Sequence, residues 1–227
     1  SGNMMYWIIT GVFMLLSRIV GTILQRKFAK YSASPINMSG AEIAQKMLSD
    51  SGINDVKIIS VAGQLTDHYN PMKKTVNLSE VVHNERNVSA AAVAAHECGH
   101  AIQHATAYSA LKMRSALVPV VNISAKFTPI LLMAGLAMLA TGNTTVLLIG
   151  IVLFAATTLF SLITLPVEFD ASKRALSWLE DTGTLQGEYQ SQAKEALKWA
   201  ASTYVVAALA SIGQLLFYVM RLMAARR

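Results

Sequence analysis

Charge is scarce in this chain. Only 14% of its 227 residues are charged, whereas 53% are hydrophobic. Soluble domains carry roughly 25% charged residues, so this composition points to a molecule partly solvated by lipid. Cysteine is nearly absent. The single Cys98 excludes an internal disulfide and a cysteine-rich zinc knuckle. Acidic residues are the rarer charged class, which leaves a formal net charge of +6. An excess of that sign serves nucleic acid when it clusters on one face. Here the basic residues sit beside apolar runs, so the expected partner is a lipid bilayer and not nucleic acid.

Long apolar runs are what the chain has in abundance. A bilayer-spanning helix needs about 20 mostly apolar residues. Four stretches approach this: residues 5–24, residues 127–140 extended backwards through 117–123, residues 146–165 and residues 200–223. The basic residues of the first run follow it, at Arg26 and Lys27, which is the reverse of a signal peptide and predicts an uncleaved anchor. The opening Ser1-Gly2 reads as a cloning remnant and is set aside. The uncharged loop Thr141-Gly142-Asn143-Thr144 makes a hairpin of the second and third runs. The fourth contains Ser202, Thr203, Ser211, Gly213 and Gln214, residues suited to face other helices. A helix lying in the membrane interface is its alternative.

Between the first two runs the sequence turns polar. Ser39 and Glu42 have capping-box spacing, Ala41, Ile43, Ala44, Met47 and Leu48 follow with helical period, and Gly52 predicts the C-cap. Residues 56–61 and 74–78 read as strands, the second after a turn at Asn70-Pro71, and Ser89 opens an Ala-rich helix. After the hairpin, Pro166 is expected to end the third span or begin a new helix over 167–179. A loop over 181–187 and an amphipathic helix over 189–199 follow. The expected fold is a mostly α membrane protein with about four transmembrane helices and a small α+β, zincin-like catalytic region. Its parts are an anchor at 4–25, a catalytic region at 26–115, a membrane hairpin at 116–166, a segment at 167–199 bearing a further ligand, and a fourth membrane helix at 200–223.

The Ala-rich helix carries His96-Glu97-Cys98-Gly99-His100. Residues four apart lie one above the other on a helix, so the two imidazoles can grip one Zn2+ ion. Glu97 can then act as general base towards a water that the ion acidifies. Gly99 costs about 1 kcal/mol of helix propensity against Ala, which points to close approach by another backbone or by the metal. The bland alternative, two surface histidines on an ordinary helix, leaves the charge and three histidines of an apolar helix unexplained.

His104 lies one turn beyond His100, but eight residues of helix rise about 12 Å, far beyond what one ion can bridge. His104 is therefore expected to orient a ligand or to pack. The third ligand must come from elsewhere, and Glu168 in Pro166-Val167-Glu168-Phe169-Asp170 is the best candidate. The hairpin crosses the membrane twice, which returns Glu168 to the side of the motif helix. Asp170 is the alternative ligand, or a residue that orients a zinc-binding imidazole.

Several blocks in the same order, LTDHYNP at 65–71, VAAHECGHAIQHA at 93–105, LKMRSALVPV at 111–120 and LPVEFDASKRAL at 165–176, resemble the YugP-type neutral zinc metallopeptidases, which are bacterial membrane proteins. The resemblance implies His96 and His100 as ligands and Glu97 as base. The Glu-Phe block is also similar to the third-ligand segment of HtpX-type and CAAX-prenyl membrane proteases. Those usually place Asp four residues after the Glu, where this chain has Ser172.

An oxyanion donor is expected among His68, Tyr69, His83 and Tyr108, with His68 first. By analogy with other zinc peptidases, the strand at 74–78 is expected to be an edge that pairs with extended substrate. Cys98 reads as a small buried residue. Residues 26–126 and 167–199 hold 15 basic residues, against Arg221, Arg226 and Arg227 on the other side, which places the catalytic region in the cytoplasm of a bacterial cell. The expected activity is peptide-bond hydrolysis on a peptide or membrane-protein substrate. The rivals are an intramembrane site-2-type protease and a non-enzymatic zinc-binding scaffold.

Overall fold

The computed structural model describes residues 2–227. Seven α-helices and one three-stranded sheet follow in the order α1 (Gly2–Tyr31), α2 (Gly40–Asp50), β1 (Lys57–Val61), β2 (His68–Asn70), β3 (Thr75–Ser79), α3 (Glu80–Asn84), α4 (Val88–Ala105), α5 (Ser109–Met138), α6 (Thr145–Asp181) and α7 (Gly187–Ala225). The protein is thus mostly α with a small α+β region. Helices α1, α6, α7 and the stretch from Ser109 to Thr141 are each long and apolar enough to cross a membrane.

The chain forms two compact units. One comprises residues 2–19, 112–165 and 203–227, the other residues 20–111 and 166–202. In the first, a core of Leu132, Leu147, Ile151, Phe217, Tyr218 and Leu222 is surrounded by apolar side chains that face outwards, such as Trp7, Ile130, Met133 and Val152. An outward apolar surface of this kind suits lipid as the surrounding solvent. A Thr158–Ser211 hydroxyl pair at 2.7 Å satisfies two buried polar groups there.

The second unit has a conventional buried core, which includes Ile43, Met47, Leu48, Val76, Leu78, Leu179 and Leu197. Helix α2 starts as its sequence predicts, with the Ser39 hydroxyl accepting from the Glu42 amide at 3.2 Å. It ends with Gly52 at φ +70°, a left-handed conformation that glycine adopts without strain. Helix α4 begins one residue earlier than expected, because Asn87 Oδ1 accepts from the Ala90 amide at 2.8 Å and serves as the cap. Its first turns bury Ala90, Ala91, Ala92, Ala94 and Ala95 almost completely. Small side chains there let α2 pack along α4, with Cys98 Sγ 3.6 Å from the carbonyl of Ala44. Cys98 is buried, and burial raises its thiol pKa well above the ordinary value.

Three expectations need correction. Residues 145–181 form one helix that runs straight through Pro166, so neither a helix end nor a new start occurs there. The predicted amphipathic segment at 189–199 and the fourth apolar run are likewise one helix, α7. Apolar helices of this length are held by their surroundings, which override the local penalty of a single proline. Finally, residues 75–79 are not an edge. The sheet order is β1-β3-β2, with β3 pairing parallel to β1 and antiparallel to β2. Both sides of β3 are occupied, and β3 is buried throughout. Strand β2 escaped prediction because it is three residues long and ends in turn residues. Asn70 Oδ1 accepts from the amides of Met72 and Lys73 and closes the hairpin.

Candidate metal centre

Positions 96, 99, 100 and 103 of α4 follow the spacing i, i+3, i+4, i+7, so they share one stripe of the helix. That whole stripe meets α6. Gly99 allows the contact, since a Cβ added to it would lie 2.5 Å from the carbonyl oxygen of Ala171. The predicted close approach to Gly99 is therefore made by the backbone of α6.

With the backbones this near, Glu168 reaches both imidazoles. Its Oε2 is 2.8 Å from His96 Nε2 and 3.2 Å from His100 Nε2. The two rings stand edge-on, 4.8 Å between centroids. One ligand atom from each of His96, His100 and Glu168 lies within 4.8 Å of the others. His100 and Glu168 are buried, and His96 is nearly so.

The far sides of both rings are also occupied. His96 Nδ1 lies 2.9 Å from Ser172 Oγ, and His100 Nδ1 lies 2.9 Å from Gln103 Oε1. Gln103 Nε2 donates at 2.8 Å to both the Val167 carbonyl and Asp170 Oδ2, and Arg174 Nε donates to the same carboxylate oxygen at 2.7 Å. Asp170 therefore belongs behind the cluster and not in it.

Burial opposes the charge on Glu168, yet hydrogen bonds from His100 and His96 outweigh it and hold the carboxyl well below its usual range. Burial likewise opposes charge on His100, and its bond to Glu168 reverses that and raises the imidazole pKa. Each Nε2 thus faces an anionic oxygen. Protons on both rings satisfy this arrangement, and so does one shared cation. Two neutral nitrogens and one carboxylate are a donor set that suits Zn2+ with a fourth position left open, so the residues present fit that ion.

The chain matches the family described as "Putative neutral zinc metallopeptidase" over residues 6–223. It belongs to that family. It is also 42% identical over 194 residues to the "Putative membrane protease YugP" of Bacillus subtilis (strain 168), covering 86% of this chain and 84% of that relative. No solved structure matches the chain.

In this member of the family, the other expected site residues divide. Glu97 is buried on α4 between the two histidines and lies outside the convergent trio. His68 is not brought to the trio. It is exposed, with Nδ1 2.8 Å from the carbonyl of Thr66. His83 pairs with neighbouring Asn84. His104 is exposed and meets Tyr69, whose hydroxyl lies 2.7 Å from its Nδ1. Burial pushes the Tyr69 phenol up to about 12. The residue whose side chain meets His100 is Gln103, one position earlier and on the stripe facing α6. Its spacing of three from His100 was the available signal. Tyr108 stacks under the Arg174 guanidinium at 5.8 Å.

Proposed function

We propose that this family member is a multi-pass membrane zinc endopeptidase whose ion is held by His96, His100 and Glu168. The convergence of three ligand atoms within 4.8 Å of one another, two of them on buried residues, carries the reading. Zinc in such a site supplies Lewis acidity, polarising a substrate carbonyl and acidifying water near neutral pH. Glu97 follows the first ligand and takes the proton of the attacking water on its carboxylate, then hands it to the leaving amine. Ser172 and Gln103 keep the two imidazoles turned towards Glu168.

Four long apolar helices support a multi-pass arrangement. The 15 basic residues of residues 26–126 and 167–199 support a cytoplasmic catalytic region. The substrate class that fits is peptide or membrane protein at the bilayer surface, since the hydrogen-bonded cluster belongs to the unit with a conventional buried core.

The test is metal content and proteolysis of the purified full chain in detergent, with an unfolded polypeptide as substrate. Wild type is expected to carry one zinc and to cleave, and Glu97→Gln to keep zinc and lose cleavage. Absence of zinc from a folded wild type would overturn the proposal, and an uncleaved substrate with zinc bound would favour a scaffold role.

A further inference from the structure

Gln103 is wholly shielded from solvent, and its amide group is fully engaged. Nε2 donates to the Val167 carbonyl and to Asp170, and Oε1 meets His100 Nδ1. An amide oxygen and nitrogen have nearly the same shape, but these partners allow one assignment. The reversed amide would press Oε1 against a carbonyl and a carboxylate, both acceptors without a proton to share. It would also turn the amide hydrogens towards the ring, leaving the acceptors of Val167 and Asp170 facing an oxygen in a buried place.

With Oε1 fixed towards the ring, His100 Nδ1 must donate. Nε2 is then the nitrogen presented to Glu168, and it is the ligating atom. Two further contacts secure the far end of the amide: Asp170 is held by Arg174, and Arg174 lies over Tyr108. His104, the polar neighbour one residue on, points elsewhere to Tyr69 and cannot substitute.

We propose that Gln103 is a positioning residue of the metal centre, which locks His100 in the tautomer that offers Nε2 to the ion and joins the Asp170–Arg174 pair to that histidine. This rests on the zinc reading above. A neutral amide in this place has a consequence of its own. A carboxylate directly on the imidazole raises its basicity as a ligand, whereas here the charge of Asp170 acts only through the amide. His96, with the Ser172 hydroxyl on its Nδ1, also has a neutral partner.

The experiment measures zinc affinity of the full chain in detergent by competition with a chromophoric chelator, and the absorption spectrum of the cobalt-loaded protein. Gln103→Met keeps the length and removes the acceptor. It is expected to weaken zinc binding about 10–100-fold and to change the cobalt bands. Gln103→Asn, which keeps the amide but withdraws it by one carbon, is expected to act in the same direction. Metal-free melting of each variant separates a packing defect from a metal defect. A folded Gln103→Met or Gln103→Asn protein with wild-type zinc affinity and an unchanged cobalt spectrum would overturn the inference. Failure of the wild type itself to bind zinc would instead refute the zinc reading on which it rests.

Discussion

Gly99 and Ala171 touch backbone to backbone: a Cβ on Gly99 would come within 2.5 Å of the Ala171 carbonyl oxygen and 3.0 Å of its Cα. Ala is the better helix former by about 1 kcal/mol, yet Gly99→Ala is expected to destabilise. Overpacking of a rigid contact costs roughly 1–3 kcal/mol, and the clashing atoms are backbone, so no side chain can swing away. The same displacement would carry Glu168 from the histidines. A lower melting temperature together with weaker zinc retention is the expected result, and a more stable, zinc-replete variant would contradict it.

Removing the carboxylate should have a larger effect on the metal than on the fold. Glu168→Ala deletes one of three ligands, so zinc affinity should fall by more than the roughly 10–100-fold seen for partners that only support a ligand. Equilibrium dialysis followed by metal analysis measures this. Zinc content equal to wild type at limiting zinc would remove Glu168 from the site.

Ser172→Ala should be milder. The His96 Nδ1 contact is a single bond to a neutral hydroxyl at 2.9 Å, worth on the order of 1 kcal/mol, and the ring stays packed against His100. Zinc affinity is expected to drop by about tenfold, with Glu168 and His100 still in place. A loss as large as that of Glu168→Ala would show that Ser172 does more than orient the ring.

Acidity should act oppositely on the metal-free and metal-loaded protein. Without metal, the raised pKa of His100 means that its contact with Glu168 stabilises fully below the ordinary imidazole value of about 6.5 and weakens as pH rises through the raised one. The lowered pKa of Glu168 contributes stability above the ordinary carboxyl value of about 4.3, lost as pH falls through the folded-state one. Metal binding instead requires His100 to lose its Nε2 proton. Chelator-treated protein should therefore melt at lower temperature as pH rises past neutrality, while the increment added by zinc grows. Calorimetric titrations in buffers of different ionisation heat should show proton release on zinc uptake near pH 7. Zinc uptake without proton release would show that the imidazole was already neutral.

The sequence by itself determined the elements whose cause is local. Ser39, Asn87 and Gly52 set helix ends through their own hydrogen bonds or dihedral freedom, and the apolar runs set the long helices. It also determined the pairing of His96 with His100, because one helical turn brings them together wherever the helix lies. Only the tertiary structure decided which face of α4 met α6. That contact chose Gln103 over His104 as the partner of His100, gave Ser172 to His96, set Asp170 behind the cluster and left His68 on β2 against the Thr66 carbonyl. The three-residue β2 and the central position of β3 depend likewise on partners distant in sequence. The physical reason is reach. A backbone cap or a four-residue spacing is satisfied within one turn, whereas the closure of Glu168 on two imidazoles needs two helices to approach until their backbones touch, at the one residue of that stripe without a side chain.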